Sequence, residues 1–328
     1  MQREPSDTLT PAGEDYSARL ATEIAIKPLG AGCGTATAHH GEIFQGVVEI
    51  SEGRLRRGLV SLPCGIFRSE ATFFPDRSGV VQVEPVWKIK TRKAVELALG
   101  YCGKRHWGGL LNICSTIPVG WGLGSSTSDV TAAIRAVADS FGVKIESRAI
   151  ASLAVQAESA SDSTMFDENI VLFAQREGVI IEDLKGSLPA LEVLGFNADH
   201  TARGVDTLSL LPARYSWWEV EAFRPLVGLL RRAIGTQNPY LIGQVASASA
   251  HINQRHLPKP HYDLLKQVER EVGALGLQVA HSGTVVGFLF DPYDSQTEGR
   301  IQGARRMLSE TGFDETWRFQ TRETGYAI

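Results

Sequence analysis

Between Pro118 and Asp129 the chain reads PVGWGLGSSTSD, with Gly120, Gly122 and Gly124 in alternation and Ser125, Ser126, Thr127 and Ser128 following without a break. Glycines let the backbone approach a ligand closely, successive amide N–H groups form an anion-binding concavity, and a helix starting at the serines adds its positive dipole end. That combination suits a phosphate. No lysine lies between Lys104 and Lys144, so this is not the GxxxxGK[ST] loop whose lysine reaches the transferable phosphates. The glycines are spaced GxGxG rather than GxGxxG, and several strand-like runs precede them, which argues against a dinucleotide fingerprint. Helix capping alone accounts for a single Ser or Thr here, but three glycines and four hydroxyl residues within nine positions exceed that need.

Chemistry at a phosphate needs charge neutralisation, alignment of the acceptor and in some enzymes a base. Acidic residues beyond the loop are the ones to weigh, and QAESASDSTMFDENIVLF supplies Glu158, Asp162, Asp167 and Glu168.

The loop resembles the nucleotide-binding motif P-x-x-x-G-L-G-S-S-[AST] of the GHMP small-molecule kinases, through Pro118, Gly122, Leu123, Gly124, Ser125, Ser126 and Thr127. GEIFQG, from Gly41 to Gly46, resembles the substrate-side motif, in the GELVQG-like form of bacterial L-threonine kinases. AHSGTVVGFLFD, from Ala280 to Asp291, resembles the third glycine motif, and the three stand in the family's order. The resemblance implies that the loop wraps the phosphates of ATP, and that Ser126 and Glu158 bind Mg2+. It implies that Asp162, in SDST, orients or deprotonates the acceptor hydroxyl. Asp167 stays a competitor, because the GxxSGxDN pattern of mevalonate kinase is absent. Glu42 and Gln45 are expected on the substrate, with Glu42 holding an ammonium or a sugar hydroxyl. Of His39 and His40, one is expected to line the pocket, entered here as His40, and the other to be solvated. A metal site at this pair lacks a third ligand at useful spacing. Ser282, Gly283 and Thr284, with His281 before them, are expected beside the phosphate or substrate.

The implied fold is α+β: an N-terminal domain of the ribosomal-protein-S5 type over residues 20–205, and a C-terminal ferredoxin-like domain over 206–328, with the site in the cleft between them. The implied activity is ATP- and Mg2+-dependent phosphorylation of the side-chain hydroxyl of a small metabolite, L-threonine first. Homoserine, a sugar or a mevalonate-like acid remain within the class. A non-catalytic ATP or metabolite binder, and an oxidoreductase, are the readings from other classes. Retention of Glu158 and Asp162 favours an enzyme over a binder.

The elements that must position these residues can be read coarsely. Ile24 to Ile50 suggests a strand, a loop or short helix through LGAGCGTATAHHGEIFQG, then a second strand. Strand-like runs follow at Leu59–Leu62, Val80–Val83 and Leu110–Ile117, with a helix over Thr91–Cys102. After the glycine loop, Val130, Ala133, Ile134, Val137, Ala138 and Phe141 mark one helix face that Gly142 closes, and Ser147 starts another helix. Two helices are expected between Ser216 and His256, with Trp217 and Trp218 packed against the body. A third helix carries Leu265, Val268, Val272 and Leu275 to Gly276. LQVA and VVGFLF read as strands, followed by a helix near Gln296–Glu310 and a strand near Thr316–Thr321.

The 328 residues are 43% hydrophobic with a formal charge of −4, so a sizeable core is expected and no basic field draws nucleic acid or an anionic membrane. Cys33, Cys64, Cys102 and Cys114 show no zinc-like spacing and read as reduced thiols. Without an apolar run of signal or membrane-spanning length, the expectation is a cytoplasmic protein with residues 1 to about 20 frayed. A homodimer is left open.

Overall fold

The computed structural model describes residues 30–166, 169–199 and 213–321. Its two longest strands are β1, Gly32–Ser51, and β2, Arg54–Asp76, paired antiparallel along their length. The glycines ahead of and within β1 suggested a loop, yet from Gly32 to His40, GCGTATAHH, the chain is strand. The reason lies opposite: α2, Ser125–Ser140, lies directly on it. A Cβ on Gly32 would come within 2.2 Å of the Ala136 carbonyl oxygen, and one on Gly34 within 2.1 Å of that of Ala132. Glycine here admits a helix backbone to a strand backbone.

Continuing along the chain come β3 (Val81–Glu84), α1 (Ile89–Tyr101), β4 (Gly108–Ser115), then α2 and α3 (Ser147–Glu158). Three short strands follow that the sequence reading did not resolve: β5 (Val171–Ala174), β6 (Val179–Asp183) and β7 (Glu192–Asn197). The second half has α4 (Trp217–Gly235), α5 (Pro239–Asn253), α6 (Tyr262–Glu271), β8 (Gly276–Val279), β9 (Val285–Phe290), α7 (Thr297–Glu310) and β10 (Thr316–Gln320).

The main sheet runs β10-β7-β9-β8-β1-β2-β4-β3, with β5 on β2 and β6 on β5. All pairs are antiparallel except β3 with β4. The β1–β8 join is a single pairing, Glu42 with Val279. Strand β7 sits between β9 and β10, and the boundary expected at 205/206 lies outside the described residues, as does the stretch expected to fray.

Local signals explain the helices. Of α2, twelve residues are buried, including Val130, Ile134 and Val137, and Gly142 follows it at φ 65°. The Ser216 hydroxyl and Glu219 carboxylate close a capping box at the start of α4, and Asn238 caps α5 ahead of Pro239. Helix α6 stops at Glu271 rather than reaching Gly276, because Gly273 at φ 65° turns the chain into β8. Trp217 and Trp218 are 62% and 80% exposed, so they are not packed against the body, and the Arg224 guanidinium lies 5.9 Å over the Trp217 ring. The capping box leaves both on the outer side of the first turn. Phe44, Leu62 and Phe223 lie in the core beside α4 and α5, and Phe73, Ile134 and Phe173 in that beneath α2. Each buried side chain of this size contributes roughly 1.5–3 kcal/mol. Among the described residues no helix is long and apolar enough to cross a membrane.

Candidate active site

The glycine loop ends on Gly124, the N-cap of α2, at φ 75° and without a side-chain cap. Capping was one reading of the serines, but their hydroxyls turn elsewhere. Ser126 Oγ donates to Glu158 Oε2 at 2.7 Å, Thr127 Oγ1 to Glu158 Oε1 at 2.8 Å, and Ser128 Oγ to the Thr37 carbonyl at 2.9 Å. The amides of the first turn thus lack a side-chain cap and have the dipole behind them, which is the donor set an anion needs. Gly122, at φ 86°, packs against the third motif: a Cβ there would meet Ala280 Cβ and Gly283 Cα at 2.8 Å. The amides of Thr284 and Val285 donate to the Trp121 carbonyl at 3.0 and 3.2 Å. Gly283 admits no larger residue, since its Cβ would lie 2.0 Å from that same oxygen.

Glu158 closes α3 and is buried, with two hydroxyls as its donors among the described residues. Burial pushes its carboxyl up to about 7, against the pull of Ser126, Thr127 and the charge of Lys90. A buried carboxylate without a cation in contact, beside the hydroxyl of Ser126, fits a divalent metal that takes one carboxylate and completes its shell with phosphate and water.

Asp162 lies four residues on, its side chain 22% exposed. His39 Nε2 donates to Asp162 Oδ2 at 2.9 Å, and His39 Nδ1 to the Gly41 carbonyl at 3.1 Å. Both acceptors can only accept, so both ring nitrogens carry protons and His39 is an imidazolium. Burial opposes that charge, but Asp162, with help from Glu42 and the Gly41 carbonyl, raises His39 to about 9. In return, burial notwithstanding, His39 holds the Asp162 carboxyl below its ordinary range, aided by Thr127. Thr127 Oγ1 also accepts from the Asp162 amide at 3.3 Å, which ties Asp162 to the phosphate-loop helix. His39, Glu42 and Asp162 offer donor atoms within 4.8 Å of one another, and the His39–Asp162 ion pair accounts for that closeness.

Glu42 faces the third motif. Its Oε2 accepts from the His281 amide at 3.1 Å and from His281 Nδ1 at 2.7 Å. Lys259, buried just after Pro258, donates to the carbonyls of Gly283 and His281, the latter at 3.4 Å. Burial pulls its ammonium down to about 8, Glu42 opposing.

Of the residues expected in the site, the fold links Gly122, Leu123, Gly124, Ser125, Ser126, Thr127, Glu158, Asp162, Glu42, Gly283 and Thr284 into one set, Leu123 through its carbonyl on the His39 amide at 3.2 Å and Glu42 through His39 Nδ1 at 3.8 Å. Pro118 opens the loop on its outer side, and Ser282 is half-buried next to Gly283. Gln45 is held by its backbone, donating to Ser249 Oγ and accepting from Asn253 Nδ2, with its own Oε1 buried and unpaired. The two histidines correct the sequence reading. Neither is solvated, and it is His39 that meets Asp162. Successive side chains of a strand face opposite sides, so the two rings of β1 point apart, and a register shift between His39 and Glu42, with Gly41 at φ 71°, follows His39. His40 Nδ1 bonds Gln278 Oε1 at 2.8 Å, and the ring packs on Trp317 and Phe319. Burial lowers it to about 4, so it stays neutral. Asp167 lies outside the described residues. The sequence reading missed Lys259, whose only signal is its place in a Pro-Lys-Pro break. It also missed a cleft beside His39 lined by Thr37, Ser61, Ser163, Thr164 and Asn169.

Residues 89–171 match the GHMP kinases N terminal domain. The chain is 32% identical to the L-threonine kinase of Citrobacter freundii over 183 residues, 55% of this chain and 62% of that protein. It is 29% identical to the L-threonine kinase of Salmonella typhimurium over 280 residues, 84% of this chain and 86% of the other. The crystal structure of homoserine kinase from Cytophaga hutchinsonii superposes with a TM-score of 0.64 at 17% identity, covering 89% of this chain and 95% of that one. The chain is therefore similar to the GHMP kinases over residues 89–171, spans less than two thirds of the first of these relatives, and has the α+β fold of the solved kinase structure.

Proposed function

We propose that the chain transfers the γ-phosphoryl group of ATP to the side-chain hydroxyl of a free amino acid, L-threonine first, giving O-phospho-L-threonine and ADP. The observation that carries the transfer is the line from the uncapped start of α2 through Ser126 and Thr127 to Glu158 and Asp162, which joins an anion site, a cation site and a fixed carboxylate. The preference for threonine rests on the two L-threonine kinases to which the chain is similar, one matched over 62% of its length and the other over 86%.

In this reading the amides at the start of α2 and the glycine loop receive the phosphates, and Gly122 and Gly283 keep that approach clear of side chains. Ser126 and Glu158 hold Mg2+, which when bound neutralises charge developing on the phosphate oxygens. Asp162, kept ionised by His39, accepts the acceptor's O–H as a hydrogen-bond donor and fixes its direction, and positioning of this kind supplies much of the rate in phosphoryl transfer.

ADP release measured with L-threonine, L-serine, L-homoserine, galactose and mevalonate tests the proposal. L-Threonine is expected to give the highest kcat/KM. A higher value for homoserine would move the acceptor to the substrate named for a Lactococcus lactis relative, 26% identical over 190 residues. No stimulation by any amino acid would overturn the proposal.

A further inference from the structure

Three histidines are buried around the cleft, and their bonding differs. His39 has both nitrogens on acceptors and is charged. His40 is turned away into the aromatic packing of the C-terminal strands. His281 has Nδ1 on Glu42, while its Nε2 is buried with no partner among the described residues; His40 Nε2 is likewise unpartnered, but on the far side of the strand. An unpaired buried nitrogen costs on the order of 1–3 kcal/mol, and a ring held this firmly retains that cost in one place. A carboxylate can only accept, so Nδ1 carries the proton and Nε2 presents a lone pair. The hold is three-fold: Glu42 takes both the ring and the main-chain amide, and Lys259 takes the carbonyl.

We infer that the Glu42–His281 pair is the proton acceptor of the proposed reaction, with Nε2 as the atom that receives the proton of the acceptor hydroxyl. This rests on the phosphotransfer reading above and assigns a group to a step that reading leaves open. The O–H bond of the acceptor breaks and its proton passes to Nε2. The oxygen's electron pair forms the new O–P bond as the bond from the γ-phosphorus to the ADP oxygen breaks. The imidazolium, stabilised by Glu42, then returns its proton to water. An orienting carboxylate, a ring with a free nitrogen and a hydroxyl make the arrangement general to base-assisted attack.

Asp162 is poorly suited to that step. Its Oδ2 already faces His39 Nε2 and, at 3.4 Å, Thr127 Oγ1, and His39 makes it a weaker base. Ala280 and Gly283, on either side of His281, pack on Gly122 of the phosphate loop. The charged groups facing the pair are Glu42 and His39 from β1, Asp162 from the segment after α3, and Lys259 from the segment between α5 and α6.

The test is the pH profile of kcat for the full chain with ATP, Mg2+ and its best acceptor, compared with His281→Asn and Glu42→Gln. Asparagine keeps a donor where Nδ1 stands and has nothing where Nε2 stands. It is expected to lower kcat by about 10²-fold or more, leave the KM for ATP within about 3-fold, and abolish the acidic limb of the profile. Glu42→Gln keeps an acceptor for Nδ1 but removes the charge that stabilises the imidazolium, so its acidic limb is expected to move to lower pH. A His281→Asn protein with wild-type kcat and an unchanged acidic limb overturns the inference and leaves the kinase reading standing. Loss of ATP binding together with kcat in both variants assigns the pair to structure and overturns it as well. Failure of the wild-type chain to turn over any hydroxylated acceptor takes down both readings.

Discussion

The phosphate-loop side of the cleft and the side across from it are built on different terms. Along the start of α2, Ser126, Thr127 and Ser128 all spend their hydroxyls within the protein, and what is offered outward is backbone. Opposite, side chains do the facing, and among the described residues His281 Nε2, Thr284 Oγ1 and Gln45 Oε1 are buried without partners. The first side comes from one short segment that fits any phosphate. The second is assembled from positions 42, 162, 259 and 281, and so can discriminate between acceptors. In the proposed reaction, nucleotide handling is thus local and generic, whereas acceptor handling is long-range.

The sharpest way to break that contrast is Asp162→Asn. It removes the charge that balances buried His39, and a fall of about 10²-fold or more in kcat is expected, with the KM for ATP changed by less than about threefold. Steady-state kinetics with each substrate varied in turn check this, and parallel losses in both would erase the distinction between the two sides. Next comes pH. His39 rises from 6.5 to about 9 on folding, equivalent to about 3 kcal/mol. A raised value contributes stability that is complete below pH 6.5 and disappears as pH climbs through about 9. Denaturant unfolding between pH 6 and 10 should show that loss, and His39→Gln should flatten it. The smallest effect expected is from Glu158→Gln, which keeps bonds to Ser126 and Thr127 but removes the charge for a cation. The Mg2+ concentration for half-maximal activity should rise about tenfold. Glu158 itself, raised from 4.5 to about 7, contributes stability present below pH 4.5 and lost as pH rises through about 7. That loss should vanish in the variant.

How much was legible in the sequence follows the same division. The loop, its helix and the third motif were readable because each is a contiguous run whose glycines and hydroxyls have one physical use. A glycine stop located the end of α2, whereas the capping residues Ser216 and Asn238 were not read as such and the junction between α4 and α5 stayed unplaced. Strand β1 misled because glycine commonly marks a turn, and only the helix lying on Gly32 and Gly34 explains it. The His39–Asp162 pair spans 123 positions, and nothing local in AHHGE tells which ring faces the cleft. The pairing register of β1, shifted between Thr37 and Ala38, sets that, and register leaves little trace in residue types. Lys259 stood outside every motif, and the short strands β5, β6 and β7 were hidden beside the acidic residues that drew the reading.

The single pairing of Glu42 with Val279 joins β1 to β8, and the Glu42 side chain clasps His281 two residues past Val279. One residue is therefore both a stitch between the halves of the sheet and a neighbour of the chemistry. For anyone redesigning acceptor choice, this makes Glu42 a poor place to begin, because variants there trade foldedness against selectivity in the same experiment. Positions around the His39 cleft, such as Ser163 and Thr164, can be varied with that seam left intact.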